Sequence, residues 1–237
     1  MLSLTLFRLS LRQLLSRHRL FWLTVLALIA LIPALIGGIS VAANHPIDSS
    51  QLFTEIGLPL VLPLIALIVY ATLLREEIRN QTIIYLVTKP IARAMIVLSK
   101  FAAGLLLIWV LVWLSLLISA AVIGDPASVL GSLLAAAALI ALTYGAFFLA
   151  VSLVFKRALL WGLAYLIVWE GILANLAPGI SQLSIHHYAA QFTDGLPGTA
   201  PGGDWSSNLW ILLVITIISL VLAAWQLGRM EFPGESD

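Results

Sequence analysis

The chain contains no cysteine. That excludes a disulfide framework, a thiolate metal site and a cysteine nucleophile. Charge is scarce too. Asp, Glu, Lys and Arg make up 10% of the 237 residues, against about 25% in a soluble domain. No G-x-x-x-x-G-K-[ST] occurs, so the chain has no P-loop with which to hold ATP. It also lacks H-E-x-x-H and any paired polar residues at membrane depth, such as Ser with His or two Asp, that an intramembrane enzyme would need. No long polar segment leaves room for a separate water-soluble domain.

What is present is apolar. Hydrophobic residues make up 62% of the chain, and the mean hydropathy is +1.09. This is the composition of a polytopic membrane protein. A transmembrane helix needs about 20 mostly apolar residues. Six runs meet that length: 20–41, 54–74, 97–123, 128–155, 158–177 and 208–227. The fold class expected is all-α, a polytopic membrane bundle of six transmembrane helices over 20–227. An interfacial arm over 1–19 precedes it and a short cytoplasmic tail over 228–237 follows it. The fourth run is long and implies tilt. Pro33, Pro59 and Pro63 fall in or near the first two runs, where neighbouring helices can satisfy the carbonyls that proline frees. The first run is longer than the 7–15 apolar residues of a signal peptide. It is therefore expected to stay as a span, although small residues follow it in "SVAAN".

Charge placement gives the orientation. All 12 Lys and Arg residues lie before the first run, in alternate loops or, for Lys100, at the adjoining start of the third run, or after the last. They are Arg8, Arg12, Arg17 and Arg19; Arg75, Arg79, Lys89, Arg93 and Lys100; Lys156 and Arg157; and Arg229. The intervening loops carry Asp48, Asp125, Asp194 and Asp204 and no cation. The positive-inside rule then puts both termini in the cytoplasm. In the arm, Leu4, Phe7, Leu11 and Leu14 share a stripe, and Arg8, Arg12 and Arg19 cluster on another. That pattern describes a basic amphipathic helix lying among anionic headgroups.

The segment between the second and third runs is unusual. "REEIRNQTIIYLV" has helical character, and Glu76 and Arg79 stand three residues apart, where they can pair. Ile78, Thr82, Tyr85 and Leu86 form a mixed apolar stripe. Pro90 then breaks the helix, since the residue before a proline is pushed out of the helical region. A short charged helix over about 75–90 is thus expected between two membrane helices.

"EIRNQTIIYLVTKPIARAMIVLSKF" resembles the cytoplasmic signature of ABC transporter permeases of the type-2 export family. Glu77, Thr82, Leu86, Lys89, Pro90, Arg93 and Lys100 match its spacing, and Gln81 and Ser99 stand where the family usually has glycine. The architecture is similar as well: an N-terminal arm, six spans and a sizeable external loop, here 178–207. The resemblance implies that the segment is a coupling helix seated in a cleft of a separate cytoplasmic ATPase. Glu76, Glu77, Arg79, Thr82, Tyr85, Lys89, Pro90 and Arg93 would be its coupling residues. It implies two ATPase copies, a second permease subunit, identical or related, and ATP and Mg bound by the partner rather than by this chain. It also implies a place in a bacterial or archaeal cytoplasmic membrane and an export function. Membrane lipids are expected as partners, and nucleic acid is not. The other reading is a permease-like membrane scaffold or assembly factor without a pathway.

Glu170 is the one acid well inside a run, since Glu55 only begins the second, at the interface. An ionisable group at that depth is costly, and two readings stand. It lines a substrate path or gate, with Asn175 nearby, or it is satisfied by Tyr, Trp or backbone donors near the external interface. On the first reading, Glu170→Ala would alter transport more than expression. "ISQLSIHHYAAQF" in the loop 178–207 is expected to form a short helix on the outer face, and "GLPGTAPGGD" a turn. His186 and His187 are adjacent, so they do not share a helix face. With no third ligand in sight, no metal site is expected.

Overall fold

The structure is a computed structural model that describes residues 20–44, 48–79, 93–124, 126–176, 178–196 and 205–229. Among them every regular element is helical, as expected of an all-α membrane bundle. The elements are α1 (Leu20–Ala30), α2 (Ile32–Ala42), α3 (Ser49–Leu52), a π-helical stretch π1 (Phe53–Val61) and α4 (Leu62–Arg79). Then come α5 (Arg93–Ile123), α6 (Ala127–Val154), α7 (Ala158–Ala164), a second π-helical stretch π2 (Tyr165–Leu173), α8 (Ala174–Leu176), α9 (Pro178–Ser181), α10 (Ile185–Asp194) and α11 (Trp205–Arg229).

Proline decides where the first two spans depart from a regular helix. Pro33 sits in the first turn of α2, next to the turn at Leu31 that separates α1 from α2. The missing N–H costs least at such a position. Pro59 lies inside π1 and Pro63 near the start of α4. Each removes a donor from the ladder, and the helix widens to i→i+5 bonding through the region. Between the third and fourth spans the chain turns at Gly124. Its φ of +86° is a conformation glycine adopts without steric penalty.

Among the described residues, five helices are long and apolar enough to cross a membrane: Val25–Ala42, Ser50–Leu73, Val97–Ile123, Ala127–Val154 and Trp205–Arg229. The expected fifth run, 158–177, differs. It is assembled from α7, π2 and α8, and its apolar stretch Ala158–Leu173 is shorter than the others.

The second and fourth spans form the centre of the bundle. They are 72% and 61% buried within the chain, against 28–33% for the first, third and last. Tyr70 of α4 is the joint between α4, α5 and α6. Its ring is fully buried and its hydroxyl donates to the Phe101 carbonyl at 2.8 Å. The ring occupies two notches. A Cβ on Gly104 would lie 2.7 Å from Tyr70 Cε1, and one on Gly145 would lie 2.9 Å from Cε2. Trp109 and Trp113 stack at 5.7 Å between centroids. They donate to the carbonyls of Ala138 and Leu134, stapling α5 to α6. On the other side of α6, Thr216 Oγ1 donates to Thr143 Oγ1 at 3.2 Å, the kind of interhelical polar contact that helps hold membrane helices together.

The notch makes a direct prediction. Gly145→Val is expected to lower stability by about 1–3 kcal/mol through overpacking against Tyr70. Gly131→Ala, in the same helix, meets open space and is expected to be neutral or slightly stabilising. Thermal unfolding of the two purified variants beside the wild type checks the contrast.

Candidate functional site

Tyr165 and Glu170 are five residues apart. On an α-helix of 3.6 residues per turn they would point about 140° away from each other. The wider π2 turn, with its i→i+5 hydrogen bonds, brings them onto one face, and Tyr165 Oη donates to Glu170 Oε1 at 3.0 Å. From α6, Tyr144 Oη reaches both carboxyl oxygens, at 3.0 and 2.9 Å. Glu170 itself is only 6% exposed and Tyr144 is fully buried.

The third contribution comes from α10. Ser184 is its N-cap residue, in extended conformation. The backbone N–H of His186 donates to Glu170 Oε1 at 3.3 Å, and Ser184 Oγ approaches the same oxygen at 3.5 Å. The first turn of any helix carries N–H groups without intrahelical partners and a partial positive charge. Glu170 fills that role from a distant part of the chain. Each of these contacts brings a donor group to the carboxyl group.

The node therefore ties π2, α6 and α10 together. Around it lie Phe147 and Phe148, with Phe147 and Tyr165 centroids at 4.6 Å and Tyr144 and Phe148 at 6.0 Å. α10 buries Ile185, Ala189, Phe192 and Thr193, the inward side of an amphipathic helix. The His186 ring is mostly buried, and its Nδ1 has no hydrogen-bond partner. Burial first, and the neighbouring His187 second, hold its pKa below the ordinary value. His187 meets Gln191 instead, at 3.0 Å between Nε2 atoms.

Sequence reading singled out Glu170 and Asn175. Asn175 falls in α8, just past π2, and its side chain lies outside the described residues. Tyr144, Tyr165 and Ser184 were not singled out. A signal for the first existed: a buried tyrosine hydroxyl needs a partner, and Tyr144 stands in an otherwise apolar part of the fourth span.

Of the expected coupling residues, Glu76, Glu77 and Arg79 fall on the last turns of α4, and Arg93 opens α5. Thr82, Tyr85, Lys89 and Pro90 lie outside the described residues, as does the arm over 1–19. The apolar span ends at Leu73, as expected. α4 continues as one helix through the charged residues to Arg79. Lys100, the last residue of the signature, is buried in α5 at 4% exposure.

An all-helical bundle with five membrane-length helices and a carboxyl node inside it defines a polytopic membrane protein. The family model described as ABC-2 family transporter protein matches residues 13–166, about two thirds of the chain. The chain belongs to that family. It is thus a membrane component of transport, of the class that works with an ABC ATPase subunit and is not itself the ATPase. No curated protein matches the chain. The family match takes in Tyr144 and Tyr165 and ends before Glu170.

Proposed function

We propose that the chain is the permease subunit of an exporter, driven by a separate cytoplasmic ATPase that docks on the segment between the second and third spans. The observation that carries this reading is the course of α4 and α5. α4 runs without a break from the centre of the bundle to Arg79, and α5 resumes at Arg93 and continues to Ile123. Whatever grips the segment between them grips two helices rooted in the bundle. Tyr70 joins those two helices directly. A force applied there passes into packed helices rather than into a slack loop. The family match, which spans this segment, supports the same reading.

In this reading the chain crosses a bacterial or archaeal cytoplasmic membrane six times, with α7–π2–α8 as the fifth crossing and both termini in the cytoplasm. Two permease subunits, identical or related, work with two ATPase copies, and ATP and Mg are bound by the ATPase. Co-purification with the ATPase, followed by ATP hydrolysis stimulated by substrate, tests the coupling. A chain that never retains an ATPase would be a membrane scaffold instead.

Orientation has its own test. The natural chain has no cysteine, so single cysteines report without background. Ser128 and Ser206 are both exposed at helix starts. Single cysteines at each are expected to react with an impermeant thiol reagent added outside intact cells. Reaction only after the membrane is opened would reverse the topology.

A further inference from the structure

Beside the Thr143–Thr216 contact, the two helices α6 and α11 leave a groove towards the ends that carry Lys156, Arg157 and Arg229. Phe147, Val151 and Val154 line it from α6, and Ser219, Leu222 and Trp225 line it from α11. The small residues Ala150 and Ser219 leave a space of about 180 Å³. An apolar cavity of about 150 Å³ already accommodates a benzene-sized molecule, so a length of acyl chain fits. The groove borders the face of α11 that exposes Ile218, Val221, Leu222 and Trp225, so it opens to the lipid-facing side.

Its mouth is cationic. Arg229 lies with its guanidinium carbon 3.9 Å from the centroid of the Trp225 ring, and that ring lines the groove. Cation–π contact holds the charge against that ring. Phe155 forms part of the rim and stacks on Trp161 at 5.1 Å. Lys156 and Arg157, both exposed, follow Phe155 directly in the chain. Gln226 adds an amide to the lining, and among the described residues no acidic side chain lines the groove.

We propose that this groove is a binding site for one anionic phospholipid, with an acyl chain between α6 and α11 and the headgroup phosphate on Lys156, Arg157 and Arg229. The charge pattern selects the lipid. An apolar slot alone would accept any chain from the bilayer, whereas three cations at its mouth favour a net negative headgroup. Guanidinium groups add bidentate recognition of phosphate oxygens. Long basic side chains at helix ends reach the headgroup level in any membrane protein. Here they also stand at the ends of the two helices that wall the apolar slot.

The test uses the full chain in detergent, where the result does not depend on which way the protein faces in a membrane. Native mass spectrometry follows retention of phosphatidylglycerol and of phosphatidylcholine with the same acyl chains. The expected result is one phosphatidylglycerol per chain, held at least tenfold more tightly than phosphatidylcholine. The combined Lys156→Gln, Arg157→Gln and Arg229→Gln variant should lose that preference. Val151→Trp, which fills the groove and keeps every charge, should lose retention as well. In the wild type, a phosphatidylglycerol carrying a photoreactive acyl chain should label peptides over 147–155 and 219–226, a readout that needs no variant to fold. Equal retention of the two lipids, labelling elsewhere, or undiminished retention in Val151→Trp would overturn the proposal. So would a change of oligomeric state in Val151→Trp with lipid retention intact, which would make the groove a contact between subunits.

Discussion

Glu170→Ala is expected to destabilise the protein and to release α10 from the bundle. The substitution strands the fully buried Tyr144 hydroxyl and the His186 N–H, which now donate to the carboxyl group. A buried donor left unpaired costs about 1–3 kcal/mol, and the two stranded groups together make this a large effect for a single site. Glu170→Gln should fall between alanine and wild type. It keeps one acceptor oxygen but turns an NH₂ group towards a set of donors. The midpoint of thermal unfolding measures the loss, and protease sensitivity over 185–194 reports the release of α10. Transport measured on the same preparations separates the two roles that the sequence left open. If Glu170→Ala keeps its unfolding midpoint and loses transport, the carboxyl group belongs to the substrate path and the donor set is incidental.

Glu77→Lys is expected to dissociate or uncouple the ATPase while leaving the spans in the membrane. Glu77 sits beyond the apolar part of α4, on the helix that carries the proposed docking segment. At the rim of a partner cleft, losing one charge costs little. Removing one partner of a desolvated, hydrogen-bonded charge pair costs about 2–5 kcal/mol. Reversal adds repulsion to that loss, so binding should fall by more than tenfold. Pull-down of the ATPase by wild type and variant measures it, with membrane insertion assayed in parallel. Full retention of the ATPase together with full substrate-stimulated hydrolysis would leave the segment as an ordinary cytoplasmic loop and remove the main support for coupling there.

The bundle was legible from the sequence because crossing a bilayer imposes one requirement, a long apolar run, and runs of Leu, Ile, Val and Ala show it directly. Glu170 was legible as a costly residue for the same reason. Its surroundings were not. Tyr165 precedes it by a spacing that an α-helical reading places on the wrong face, and nothing in "YLIVWEGIL" announces the π turn that corrects it. Tyr144 and Ser184 arrive from other elements, through packing that periodicity does not encode. The notches at Gly104 and Gly145 show the same limit. The glycines are visible in the third and fourth runs, but the ring that needs them belongs to the second.

That ring also limits how the protein can move. Tyr70 is keyed into glycines of both α5 and α6 and bonded to the backbone at Phe101. Sliding any one of these helices by a turn, about 5.4 Å, would drive the phenol out of its slots and into Cβ-bearing neighbours. The second, third and fourth spans therefore travel as a single piece through any transport cycle. Leu67 of the second span fills a notch at Gly162 in the same way, and Tyr144 bonds Glu170, so the fifth span is keyed to that piece as well, and relative movement within the chain is left to the first and last spans.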